Sequence, residues 1–242
     1  MSPGFPGRKA YHQAARPPLD AFAKVALGNH HDYDKVTTAQ DFSTAWDNEA
    51  SIMLSVIIPT EGVEQPAVAT LAALVPGAAA GLIREVLLVD GTGNGVIERV
   101  ADVAGCRFIG YEGPPGAALA AGALQARSSW LMFLQSGAVL QAGWIEETTH
   151  FIQNVSASGK PRAAVFSHAR SPYMDTRMRD ILRAVMRTIA GPLGDQGLLI
   201  ARDHYDRLGG YPPHARHSEA RLLRRLGRSS RTLLQSRIVM IA

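Results

Sequence analysis

From residue 52 onward, short apolar runs alternate with stretches of helical spacing. Ile52 to Pro59 (Ile-Met-Leu-Ser-Val-Ile-Ile-Pro) is an unbroken apolar run closed by proline, the pattern of a strand buried on both faces. Pro66 to Leu74 carries apolar residues at helical spacing, with Pro66 suited to a first turn. Glu85 to Val89 reads as a second strand, Val96 to Ala104 as a helix, and Cys106 to Gly110 as a third strand. Gly113-Pro114-Pro115-Gly116 breaks the chain before an alanine-rich helix over Ala117 to Ala126. Trp130 to Leu134 is a fourth strand, running into the polar turn Gln135-Ser136-Gly137.

The second half continues the alternation less regularly. Gly143 to Asn154 predicts a helix and Arg162 to His168 a strand. Met174 to Ile189 predicts an amphipathic, arginine-rich helix. Leu198 to Ala201 is a strand, and Arg202 to Leu208 a short helix closed by Gly209-Gly210. Ser218 to Leu226 is a helix with Ser218 as its N-cap and Gly227 beyond its end, and Leu233 to Ile241 is a last strand. Repeated strand-helix units of this spacing imply an α/β fold, a mostly parallel sheet with helices on both faces.

Residues 1–51 break the pattern. Pro3, Pro6, Pro17 and Pro18 stand among few periodic apolar positions, and only Leu19 to Leu27 suggests a helix. The division expected is an irregular N-terminal extension over 1–51 and one α/β domain over 52–242. Met53, just before the first strand, leaves two explanations for the extension: a start assigned too early, or a tail that docks elsewhere.

Composition narrows the class. The chain of 242 residues is 46% hydrophobic and 19% charged, a globular balance. Cys106 is the one cysteine, so neither an internal disulfide nor a zinc site built from several thiolates is available. It sits in an apolar run and reads as a structural thiol rather than a nucleophile. A reducing, cytoplasmic setting fits that usage. No apolar run approaches the roughly 20 residues that span a bilayer. The net charge of +4 is uneven, with arginines far outnumbering acids from Arg177 to Arg237. Such a face either is solvated or attracts phosphorylated ligands or anionic lipid. Without interleaved aromatics for base stacking it does not favour nucleic acid.

Ligands of open α/β sheets bind at the carboxyl ends of the strands. Three loops occupy such ends here: Pro59-Thr60-Glu61, Asp90-Gly91-Thr92 and Gln135-Ser136-Gly137. Further on come Gly194-Asp195-Gln196-Gly197-Leu198, Leu208-Gly209-Gly210-Tyr211 and Arg221-Leu222-Leu223-Arg224-Arg225-Leu226-Gly227. In order and spacing the set resembles the family 2 glycosyltransferases, which have the GT-A (nucleotide-diphospho-sugar transferase) fold, and it extends from about Leu54 to Ile241.

The resemblance implies a nucleotide-diphospho-sugar donor and a hydroxyl acceptor, either lipid-linked or a polysaccharide. It implies nucleotide-sugar contacts from Thr60, Glu61, Asp90, Gly116, Gln135, Ser136 and Gln196. Asp90 matches the aspartate that holds uracil or ribose in relatives; the other reading is a turn residue before Gly91. Asp195 and Gln196 match a Gly-Asp-Gln-Gly motif on the acceptor side, and a self-bonded loop is equally open.

Six polar positions of the family are substituted. Pro115 replaces a basic residue and Ala120 an asparagine. Gln135 and Gly137 stand where relatives carry Asp-x-Asp, the carboxylates that hold Mg²⁺ or Mn²⁺ against the diphosphate. The expectation is therefore no tight metal site and no cofactor. Ala215 and Arg216 replace a Glu-Asp pair that supplies the general base. The groups able to take a proton nearby are His214, His217 and Glu219. The catalytic candidates are accordingly Asp195, Glu219 and His217. Arg177, Arg183 or Arg216 would supply the positive charge of the missing metal. Three functions remain open: an active transferase, a catalytically degenerate homologue acting as a binding or scaffold partner, and a peripheral membrane binder using Met174 to Ile189.

Overall fold

Every second residue of the central strands faces the same layer of helices, and this alternation builds two cores. In the computed structural model, which describes residues 53–168, 196–213 and 218–241, the strands form one eight-stranded sheet in the order β3-β2-β1-β4-β7-β6-β8-β5. They are β1 (Leu54–Thr60), β2 (Ile83–Asp90), β3 (Arg107–Gly110), β4 (Trp130–Phe133), β5 (Ala138–Leu140), β6 (Ala163–His168), β7 (Leu198–Ala201) and β8 (Arg231–Met240). The described helices are α1 (Glu64–Ala79), α2 (Val96–Ala104), α3 (Pro115–Gln125), α4 (Trp144–Ser158), α5 (Arg202–Arg207) and α6 (Ser218–Leu226).

Leu54, Val56 and Ile58 of β1 and Trp130 and Met132 of β4 join one core, with Leu71 of α1, Ile97 of α2 and Trp144 of α4. The intervening Ile57, Leu131 and Phe133 join the other, with Leu119 of α3, Tyr205 of α5 and Leu222 of α6. A period of two is what a sheet covered on both faces requires.

Strands β3, β2, β1 and β4 run parallel. The chain first steps outward from β1 to β2 to β3, and α3 then returns it across β1 to β4. Strand order therefore reverses between β1 and β4, the place where the sheet opens a crevice at its carboxyl edge. Beyond β4 the sheet mixes directions: β7 is antiparallel to both β4 and β6, β6 and β8 are parallel, and β5 is antiparallel to β8.

Two expectations from the sequence need correction. The first helix runs through Pro76 to Ala79 rather than stopping at Leu74. Pro76 lies in the last turns, where a missing N–H costs a single helical bond. The end is then closed by Gly81 and Leu82, whose N–H groups donate to Ala78 O and Gly77 O. Strand β5 was not anticipated, because three residues carry no readable period; it exists through its pairing with β8. The helices expected over Leu19 to Leu27 and Met174 to Ile189 lie outside the described residues.

The amino ends of the strands are tied by a polar network. Glu85 Oε1 accepts from Ser55 Oγ at 2.8 Å and from the Arg127 N–H at 2.6 Å. Its other oxygen pairs with Arg107 at 3.0 Å. Arg202 donates to the carbonyls of Ser128, Ala123 and Ala126 at 3.0, 3.0 and 2.7 Å. A cation thus covers the carbonyl end of α3 and fastens it to the start of α5. Cys106, half-buried at the entry to β3, has its thiol pushed up to about 12 by burial.

Two outcomes follow. Arg202→Met keeps the aliphatic stem but strands three carbonyls, and urea unfolding should show a loss of about 1–3 kcal/mol at unchanged m-value. Burial alone would raise the Glu85 pKa, but its bonds from Ser55, Arg107 and Arg127 outweigh this and hold it below the usual range. A depressed carboxylate contributes stability above its unfolded value of about 4.3, and loses it as pH falls through the folded value. Stability measured from pH 6 down to pH 3 should therefore fall less steeply in Glu85→Gln than in the wild type.

Candidate functional site

Three loops leave the sheet around the switch point. The first two are joined to each other. Thr60 and Asp90 are register partners at the ends of β1 and β2. Thr60 Oγ1 donates to Asp90 Oδ1 at 2.9 Å, and the Thr92 N–H and Oγ1 donate to Asp90 Oδ2 at 3.0 and 2.6 Å. Asn94 Nδ2 reaches across to the Gly62 carbonyl at 3.0 Å, while its Oδ1 accepts from the Val96 N–H at 2.9 Å, opening α2. Asp90 is buried, which alone would raise its pKa; the bonds from Thr92 and Thr60 and from the backbone of Thr92 and Gly62 outweigh that and lower it. The carboxylate is thus held ionised with both oxygens bonded within the turn. Thr92 is the partner that the motif reading passed over; an Asp followed two residues later by Thr is the pattern of a self-bonded turn. Glu61 is exposed beside this pair.

The third loop is the β4–β5 turn. Leu134 still donates its N–H to Ile57 O at 3.1 Å, and the chain then leaves the sheet. Gln135 and Ser136 are half-buried on the turn. Gln135 Nε2 donates to Glu219 Oε1 at 2.7 Å, across 84 residues of sequence. Glu219 lies in the first turn of α6, where an acid is favoured by the helix dipole. Two positions singled out separately in the sequence are therefore direct partners.

Beneath this pair is a depression lined by Leu119, Phe133, Gly197, Tyr211 and Leu223. Its free volume is about 10 Å³, room for one water. Its floor is aromatic: Phe133 stacks on Tyr205 with centroids 5.4 Å apart and meets Tyr211 edge-on at 4.9 Å. The Tyr211 N–H donates to Tyr205 Oη at 3.0 Å. Burial, with Glu219 and Tyr205 nearby, raises the Tyr211 pKa well above its ordinary value, so the phenol is held neutral.

Gln196 stands immediately before Gly197 and β7, and its Oε1 is buried with no hydrogen-bond partner among the described residues. Gly116 opens α3, where a β-carbon would overlap Ser218. The bareness of Gly116 is thus used by the packing of α3 against α6. Asp195 and His217 lie outside the described residues, as do His214, Ala215 and the arginines at 177, 183 and 216. Thr60, Glu61 and Asp90 form one group at the edge, and Gln135 and Glu219 a second, with Gln196 beside Gly197 in the lining of that depression.

No family model matches the sequence, and no curated protein matches it either. Solved structures do match. Staphylococcus aureus TarS, residues 1–349, superposes with a TM-score of 0.56 at 14% identity over 76% of this chain and 58% of TarS. The chain thus spans just over half of that relative's length. Glucosyl-3-phosphoglycerate synthase from Mycobacterium tuberculosis, solved with Mn²⁺, UDP and glucosyl-3-phosphoglycerate, matches with a TM-score of 0.54 at 16% identity, over 88% of this chain and 79% of that one. The mannosyltransferase PcManGT from Pyrobaculum calidifontis, solved with GDP-Man and Mn²⁺, gives 0.54 at 15% identity, over 90% and 66%. With its mostly parallel sheet, its reversal between β1 and β4 and these structural neighbours, the chain has the GT-A fold of the nucleotide-sugar glycosyltransferases.

Proposed function

We propose that the carboxyl-edge crevice receives a nucleotide-diphospho-sugar and that the chain transfers the sugar to a hydroxyl acceptor. The observation that carries this reading is the Gln135–Glu219 bond at the mouth of the crevice. A carboxylate bonded to an amide, with a buried acceptor on Gln196 that has no donor among the described residues, suits a ligand rich in hydroxyl groups. The loops of Thr60 and Asp90 would face the nucleoside, with the lone pairs that Asp90 keeps beyond its bonds in the chain. Glu61 and Ser136 would border the diphosphate and the sugar.

In this reading Glu219 takes the acceptor's proton. The acceptor oxygen then forms its bond to the anomeric carbon, while the bond from that carbon to the diphosphate breaks and the nucleoside diphosphate departs. Gln135 orients Glu219 for the step. Asp195 and His217 remain candidates on the acceptor side by resemblance. Lipid-linked and polysaccharide acceptors are both compatible with the crevice. No helix among the described residues is long and apolar enough to cross a membrane.

A second reading keeps the fold and the ligand but not the transfer. It is favoured by the turn role of Asp90 and by a depression no larger than a water. Calorimetric titration with UDP-glucose, UDP-N-acetylglucosamine and GDP-mannose, followed by assay of released nucleoside diphosphate, separates the two. Transfer predicts saturable binding of one donor and slow donor hydrolysis that drops about 10²-fold or more in Glu219→Gln. Binding without release would support the second reading, and no binding to any donor would overturn both.

A further inference from the structure

Two of the structural neighbours were solved with Mn²⁺. The turn of this chain that corresponds in order to a cation-bearing loop does not fit such an ion, for reasons of backbone as well as side chain. Gly137 has φ +90°, in the left-handed region. A β-carbon there would overlap the carbonyl oxygen of Ile241, a backbone atom that cannot swing aside. Both polar groups of the glycine are committed. Its N–H donates to Pro66 O at 3.1 Å and to Thr70 Oγ1 at 2.9 Å, and its carbonyl accepts from the Ile241 N–H at 2.9 Å.

Gln135 turns its NH₂ toward Glu219, so a donor stands where a cation would need another oxygen. Among the described residues no group of three or more His, Cys, Asp or Glu side chains could hold a metal ion. Hard divalent ions need several oxygen ligands, with carboxylates prominent among them.

We propose that the β4–β5 turn is a backbone lock and holds no divalent cation. It ties the first turn of α1, the exit of β4 and the end of β8 at a single glycine. The space in which a carboxylate side chain would begin belongs to Ile241. A loss of the two aspartates by simple substitution would leave room to restore them. Here the fold has closed over the second position, so restoring a carboxylate costs stability rather than creating a site. Ligand binding in the crevice is accordingly independent of divalent ions, a clause that rests on the function proposed above; the cation statement does not.

The test begins with the full chain and Mn²⁺ alone, following the free-ion EPR signal. No saturable binding beyond that of Glu219→Gln is expected. Stoichiometric Mn²⁺ binding that disappears in Glu219→Gln would overturn the proposal. Gly137→Ala and Gly137→Asp should both melt below the wild type or fail to fold, with Gly137→Asp gaining no Mn²⁺ affinity. A Gly137→Ala variant with the wild-type melting temperature would overturn the lock. UDP titration in EDTA and in Mn²⁺ should agree within about twofold, whereas an affinity gain of about tenfold (1.4 kcal/mol) with Mn²⁺ would overturn ion independence. Absence of UDP binding in both buffers would count against the proposed function alone, since the Mn²⁺ arm contains no nucleotide.

Discussion

The molecule depends on one handover. After β4, at the centre of the sheet, four residues carry the chain to β5, which pairs at the far edge with β8. The handover works because a single glycine can satisfy partners in three directions where any side chain would collide. Register at the far edge, the seating of α1 and the aim of Gln135 all pass through that point. A fold that commits its geometry to one residue gains a well-defined crevice floor. It loses the freedom to vary that residue for chemistry.

The two ends of the sheet divide the electrostatic work. At the amino ends Glu85 pairs with Arg107, and Arg202 covers carbonyls at the end of α3. At the carboxyl ends Asp90 accepts from the hydroxyls of Thr60 and Thr92 and from the Thr92 N–H, and Glu219 accepts from the Gln135 amide. Asp90, held ionised by neutral donors, keeps its negative charge at the carboxyl edge of the sheet. A diphosphate would therefore meet its compensating charge elsewhere, and the basic second half of the chain is where such charge is concentrated.

Much of this was legible in the residues. The apolar runs at β1, β2 and β4 and the helical spacing of α2 and α6 announced the alternation, because buried parallel strands and amphipathic helices each leave a period. Leu198 to Ala201 and Ser218 to Leu226 were bounded correctly. Strand β5 was not legible, since three residues acquire strand character only from a partner a hundred positions away. The site was half legible. Gln135 and Glu219 each stood out as substitutions or survivors within a motif, but their contact depends on how α6 is seated and no local pattern encodes that. Gly137 looked like a loss; only the approach of Ile241 shows it as a requirement. Gly116, expected beside the ligand, also stands where α3 meets α6.

The lone thiol has one more consequence. Cys106 sits where the chain enters β3, the edge strand beyond β2, and its depressed acidity makes it nearly inert in the folded protein. Its N–H is bonded to Ala101 O of α2, so reactivity rises when that edge separates from the helix. The chain thus carries a built-in clock: the rate at which a thiol reagent consumes it reports the opening of the β2–β3 edge of the sheet, without any label having to be introduced.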